Sequence, residues 1–152
     1  MTDRTDHVRA VFPEVDAIDD ASLRAGVLEA WTTAMDETDV EDLTTIPWYP
    51  PMQRRHDIAD ETLVDHVRDV TTIAVDVVET LTDRRGTDIS MDTVLAGALV
   101  HDVSKLYEYD GFADTEVERL LGHPHYGVHV TAAAGLPVDI QHVVLAHSDL
   151  TA

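Results

Sequence analysis

The chain has no cysteine and, apart from one lysine, relies on arginine for positive charge. The first absence removes disulfides, thiolate nucleophiles and Cys-based zinc sites, and it fits an intracellular protein. The second goes with a general lack of basic residues: 30 Asp and Glu stand against 10 Lys and Arg, a formal charge of -20. A surface this negative repels nucleic acid phosphate and anionic lipid, so a nucleic-acid scaffold and a membrane-surface protein are both excluded. The start, MTDRTDHVRAVFPEVD, holds no apolar stretch of signal-peptide length, and no later segment approaches a membrane span. The expectation is a soluble, cytoplasmic protein.

Depletion of lysine together with an excess of aspartate resembles proteins adapted to molar salt, where carboxylate repulsion is screened over about 3 Å at 1 M. A halophilic protein that unfolds at low salt is therefore expected. Also missing are β-alternation of useful length, internal repeats and low-complexity linkers. With 152 residues the chain is long enough for one sizeable core and too short for two. The expected fold is a single all-α domain over 1–152, a compact bundle of about five to seven helices.

Residues 1 to about 18 are polar around Val11-Phe12-Pro13 and read as a loosely attached arm or a short capping element. From Asp20 to about Asp36, Leu23, Val27, Leu28, Trp31 and Met35 recur at helical spacing, with Trp31 facing the core. Residues 37–58, with Pro47-Trp48-Tyr49-Pro50-Pro51 and Arg54-Arg55-His56, read as a loop able to border a pocket. Asp60 to Asp83 is strongly helical and closes at Arg84-Arg85-Gly86. A third helix starts at Ser90 or Asp92, carries Val94, Leu95, Ala98, Leu99 and Leu106, and places His101-Asp102 in its last turns. After a loop at 108–113, Thr115 caps a short run to Leu121, His123-Pro124 restarts a helix with Pro124 at a first position, and Pro137 opens the last one.

Nine histidines are present, and His66, His101, His123 and His147 each lie near the apolar face of a different expected helix. Inward side chains of facing helices assemble metal sites in bundles, and several imidazoles plus Asp102 suit Fe, Mn, Co, Ni or Zn better than Ca. Taken alone, His66 reads as an ordinary edge-of-core histidine. Asp102, a carboxylate inside an apolar helix, needs a metal, a cation or donors. Lys105 stands four after His101 on the same helical face, with Asp102 turned about 100° from His101. The motif presents a ligand pair beside a cation; alone, Lys105 would equally serve the helix dipole. His7, His56, His129 and His142 read as surface or boundary residues.

The order His66, His101-Asp102-Val103-Ser104-Lys105, His123-Pro124-His125-Tyr126-Gly127, Gly135-Leu136-Pro137 and His147-Ser148 resembles the HD-domain superfamily of metal-dependent phosphohydrolases over residues about 60–150. In that resemblance 1–59 is an N-terminal helix and pocket-edge loop. It implies metal ligands His66, His101, Asp102, His123 and His147, with His125 as the alternative to His123. Asp102 and Lys105 would be catalytic, and Arg55, or Arg54, would bind substrate phosphate with Lys105. The family's closing aspartate falls one helix beyond His147. Here only Asp149 stands near, roughly 200° around the helix from His147. The last ligand is therefore lost, supplied by another chain, or carried on a further segment.

The activity so implied is hydrolysis of a nucleotide or other small phosphate mono- or diester by water activated on one or two divalent transition metal ions (Mn, Fe, Ni, Co or Zn). Asp102 would bridge the ions and Lys105 would neutralise charge on the phosphoryl group. Trp48 and Tyr49 either stack on a base or pterin or anchor the loop. The alternatives are a non-catalytic HD module that binds a nucleotide or partner protein, and a purely structural bundle. An oxygenase on similar helices would leave Lys105 without a task. A homo-oligomer is compatible with each.

Overall fold

The computed structural model describes residues 3–57, 60–110 and 113–148. In chain order the α-helices are α1 (Arg4–Val11), α2 (Ala21–Glu37), α3 (Pro50–His56), α4 (Leu63–Arg85), α5 (Met91–Val100), α6 (Glu116–Leu120), α7 (Gly122–Ala133) and α8 (Val138–Ala146). Between α5 and α6 the two-residue strands β1 (Tyr109–Asp110) and β2 (Ala113–Asp114) pair antiparallel. The fold is all-α, as expected, with this hairpin as its one small exception among named elements. The eight α-helices among the described residues exceed the expected five to seven because α1, α3 and α6 are short pieces of 8, 7 and 5 residues.

Short polar side chains set the helix starts. Asp20 accepts from the Ser22 and Leu23 amides at the head of α2, and Ser90 and Thr115 do the same for α5 and α6. Thr62 and Asp65 cap α4 reciprocally. Gly86, at φ 63°, ends α4 in the left-handed conformation that glycine takes without a Cβ clash. Pro124 is the third residue of α7, not its first, because the helix already begins at Gly122.

Residues 3–18 are not a loose arm. Val8, Phe12, Val15 and Ile18 are fully buried, and Phe12 packs on Trp31 with ring centroids 4.9 Å apart. Polar residues between these widely spaced apolar ones concealed the buried face. The segment is fastened at its end, where the Asp92 carboxylate accepts from the amides of Asp19 and Asp20 at 2.9 and 2.8 Å. That joins the start of α2 to the start of α5.

α5 lies centrally, against α4, α8 and α2. Its end corrects the expectation that His101-Asp102 and Leu106 continue one helix. The Leu99 carbonyl accepts from buried Trp31 Nε1 at 2.9 Å, and the Ala98 carbonyl from His101 Nδ1 at 2.7 Å. With two C-terminal carbonyls taken by side chains, α5 stops at Val100 and residues Val103–Tyr107 turn into a 3-10 helix. His101 and Lys105 are thus not stacked on one helical face.

α7 closes on α8 and on that 3-10 turn. A Cβ at Gly127 would lie 2.5 Å from Val144 Cγ1 and 3.0 Å from Ser104 Oγ, so only glycine permits the approach. Ser104 Oγ donates to the His123 carbonyl at 2.6 Å, tying the first turn of α7 to the residues that follow Asp102.

Candidate metal centre

Two helix beginnings and two helix ends meet at one carboxylate. His66 and His123 sit in the first turns of α4 and α7, while His101 and His147 cap the ends of α5 and α8. Between them Asp102 is 2 % exposed. Its Oδ2 faces His66 Nε2 at 3.2 Å and His101 Nε2 at 3.4 Å; its Oδ1 faces His123 Nε2 at 3.2 Å and His147 Nε2 at 3.1 Å. Each side gives a triad of donor atoms within 4.8 Å of one another: His66, His101, Asp102 and Asp102, His123, His147.

The far ring nitrogens determine what these Nε2 atoms are. His101 Nδ1 faces the Ala98 carbonyl at 2.7 Å, His147 Nδ1 the Val144 carbonyl at 2.6 Å and His123 Nδ1 the Glu108 carboxylate at 2.6 Å. Acceptors there place the proton on Nδ1, so in the neutral imidazole the Nε2 lone pair points at Asp102. Yet His123 Nε2 and His147 Nε2 are 3.1 Å apart, and His66 Nε2 and His101 Nε2 are 3.4 Å apart. Around Asp102 Oδ1 two such lone pairs and a carboxylate converge, and they repel unless positive charge lies among them. Divalent cations fit this donor set, and an acceptor behind the ligating imidazole is the usual arrangement at metal sites.

The same demand appears in the electrostatics. Burial alone would raise the Asp102 carboxyl, but contacts with His101, His123, His147 and His66 hold it far below the usual carboxylate range. Burial would lower the His123 imidazole, but Asp102 and Glu108 outweigh it and raise it. The cluster attracts positive charge from either side.

Glu108, which the sequence reading left in a loop, is the main residue it missed. Its side chain is 2 % exposed; Oε1 accepts from the His123 amide at 3.0 Å as well as from the ring, and Oε2 lies 3.6 Å from Lys105 Nζ. The signal was there in principle, since Glu108 follows Lys105 at a spacing of three. Glu118 carries a buried oxygen, Oε2, with no hydrogen-bond partner among the described residues, and burial together with the neighbouring Glu108 carboxylate pushes it up to about 7. Lys105 Nζ also sits 5.2 Å from the Tyr49 ring centroid.

The loop before α4 reaches the site through backbone pairing. Trp48 N donates to the Glu61 carbonyl at 3.1 Å and Leu63 N to the Ile46 carbonyl at 2.8 Å. Trp48 then stacks on His66 with centroids 4.5 Å apart and planes 21° apart, so this ring face is spent on a site histidine instead of a base. His66, an edge-of-core residue when taken alone, is a member of the cluster. His125 is exposed with Nδ1 on the Leu121 carbonyl at 3.0 Å, so the alternative to His123 is not needed. Arg55, exposed on the last turn of α3, is not among the described lining residues of the cavity. Asp149 lies outside the described residues.

A family model described as HD domain matches residues 63–152. Among curated proteins, a dihydroneopterin 2',3'-cyclic phosphate phosphodiesterase of Methanocaldococcus jannaschii is 30% identical over 89 residues, covering 56% of this chain and 36% of that protein. The chain thus spans about a third of the length of the relative it matches. No solved structure matches it.

Proposed function

The chain belongs to the HD-domain family, and from that premise we propose that it is a metal-dependent phosphohydrolase acting on a small phosphate mono- or diester. The observation that carries the reading is Asp102 buried between four imidazoles, with Lys105 at the wall of the same cavity. His66, His101 and Asp102 would hold one divalent transition metal ion, and Asp102, His123 and His147 a second. Such ions polarise phosphoryl oxygens and lower the pKa of water toward neutrality.

The remaining steps belong to the chain's own groups. Lys105, positioned by Glu108 and Tyr49, neutralises charge on the phosphoryl group as the bond to the leaving oxygen breaks. Glu108 aligns that lysine and also fixes the His123 tautomer. Glu118, a lining residue at about 7, is placed to give a proton to the leaving oxygen near neutral pH. Trp48 holds the His66 ring by stacking on its face. Arg55, exposed on α3 and not among the described lining residues, would meet only a substrate that protrudes from the cavity. The name of the archaeal relative supports a phosphodiester as the first substrate to try.

The test is metal content by elemental analysis on protein purified in molar KCl without chelator, followed by a phosphoester panel with and without added Mn, Fe, Co, Ni or Zn. One or two ions per chain with metal-dependent turnover is expected. Metal without turnover on any ester would make the chain a binding module, and no metal under any loading would refute the site. Repeating helicity measurements at low salt tests the proposed salt adaptation, for which loss of helix is the expected result.

A further inference from the structure

The cavity does not end at the metal ligands. It encloses about 590 Å³, within the range that takes a small organic molecule. Three helices extend it in one direction. On α4, Val70 and Ala74 follow His66 at intervals of four; on α5, Ala98 and Val94 precede Asp102 at the same interval; on α8, Val143 precedes His147 by four. α4 and α8 therefore carry aliphatic side chains along the faces that bear His66 and His147, and α5, which stops at Val100 before Asp102, lines the same cavity with Val94 and Ala98. The directions agree, because α5 follows α4 as its packed neighbour and a Cβ on Gly97 would stand 3.0 Å from Val143 Cγ1. From His66 to Ala74 this lobe runs about 12 Å at the helical rise per residue.

Its chemistry differs from that of the metal end. Thr93 supplies the lobe's hydroxyl, and the other side chains that form it are aliphatic. Elsewhere on α4, Ile73 and Val77 are 61% and 51% exposed, apolar groups on a protein whose surface is otherwise rich in carboxylates. Among the described lining residues Lys105 is the one lysine or arginine, and it is already paired with Glu108. A di- or triphosphate chain requires several cationic donors, and a nucleobase edge requires more than one polar partner.

We propose that this lobe selects single-phosphoryl esters whose body is uncharged and presents an apolar face, in preference to nucleoside di- and triphosphates. The inference deepens the phosphoester reading and rests on it for turnover, but the lobe can be tested by binding alone. Methylphosphonate and hexylphosphonate, which cannot be hydrolysed as esters, are titrated calorimetrically into the metal-loaded full chain in molar KCl. Hexylphosphonate is expected to bind at least about tenfold tighter, with a negative heat-capacity change, from burial of its methylenes. In Val94→Thr, which keeps the volume, and Ala74→Met, which fills the lobe, the hexyl-to-methyl ratio is expected to fall at least about threefold.

Equal affinities, failure of both phosphonates to bind, or a ratio unmoved in both variants would overturn the proposal. So would a higher kcat/KM for ATP than for hexyl phosphate. A tenfold binding preference without hydrolysis of any mono- or diester of the panel would support the lobe while removing the hydrolase reading.

Discussion

The two halves of the site are built alike and backed differently. Each has one histidine at a helix end, His101 or His147, whose Nδ1 faces its own helix carbonyl three residues back. Each has one histidine in a helix's first turn, and here they diverge. His123 is backed by the buried Glu108 carboxylate at 2.6 Å, with its side chain 9% exposed; His66 is backed by the Trp48 ring, with its side chain 20% exposed. A carboxylate behind an imidazole makes it a stronger base, whereas a stacked ring orients it without adding charge. The His123 half should therefore hold a cation more tightly, and Lys105, tied to the same Glu108, would bring its proposed phosphate-facing charge to that side.

Removing what the halves share should have the largest effect. Asp102→Ala is expected to take metal content from one or two ions per chain to near zero by elemental analysis; wild-type content in this variant would show that the carboxylate is not the shared ligand. Next comes Lys105→Ala, expected to keep wild-type metal content while kcat falls about 10²–10³-fold, the range for losing one preorganised charge donor. An unchanged kcat would remove the phosphate role and leave the metal site standing. Glu108→Gln sharpens the comparison directly. Metal affinity at His123 and His147 is expected to weaken about 10–100-fold with the other half little changed, so a titration followed by calorimetry should separate into two steps. Uniform weakening of both steps would show that the halves do not differ as argued.

Much of this was legible in the sequence because the clustered histidines lie at the ends of helices whose starts are signalled locally. Asp20, Ser90 and Thr115 announce helix starts locally, whereas α4 is capped by Thr62 and begins at Leu63, past the expected Asp60; His66, His101, His123 and His147 each mark a separate helix. What escaped depends on contacts distant in sequence. The stop of α5 is made by Trp31, 68 residues away, taking the Leu99 carbonyl. The N-terminal segment owes its place to the burial of Phe12 against Trp31, which no local period reveals. Glu108 looks like any loop carboxylate until the hairpin and α7 enclose it, and Trp48 meets His66 only because the Ile46–Trp48 backbone pairs with the start of α4.

The smallest effect tests how far the His66 half depends on its helix end. His66 is the fourth residue of α4, and its amide donates to the carbonyl of Thr62, the capping residue, at 3.1 Å. Thr62→Ala removes the hydroxyl that accepts from Asp65 N and donates to Asp65 Oδ2, which is expected to cost about 1 kcal/mol and lower Tm by about 2–4 °C in a chain of this size. The pH dependence carries a sign. Hydrogen bonds from Thr62 lower the Asp65 carboxyl below its ordinary value, so the stability this box contributes is present above the unfolded-state value and is lost as pH falls through the lower folded one. The variant should therefore show a shallower decline of Tm on acidification, most visible near and below about pH 4. At neutral pH its metal titration should show the weaker step slightly weakened and the stronger one unmoved. A shift of the stronger step would place the frayed α4 terminus next to the His123 half and refute the division between carboxylate-backed and ring-backed ligands.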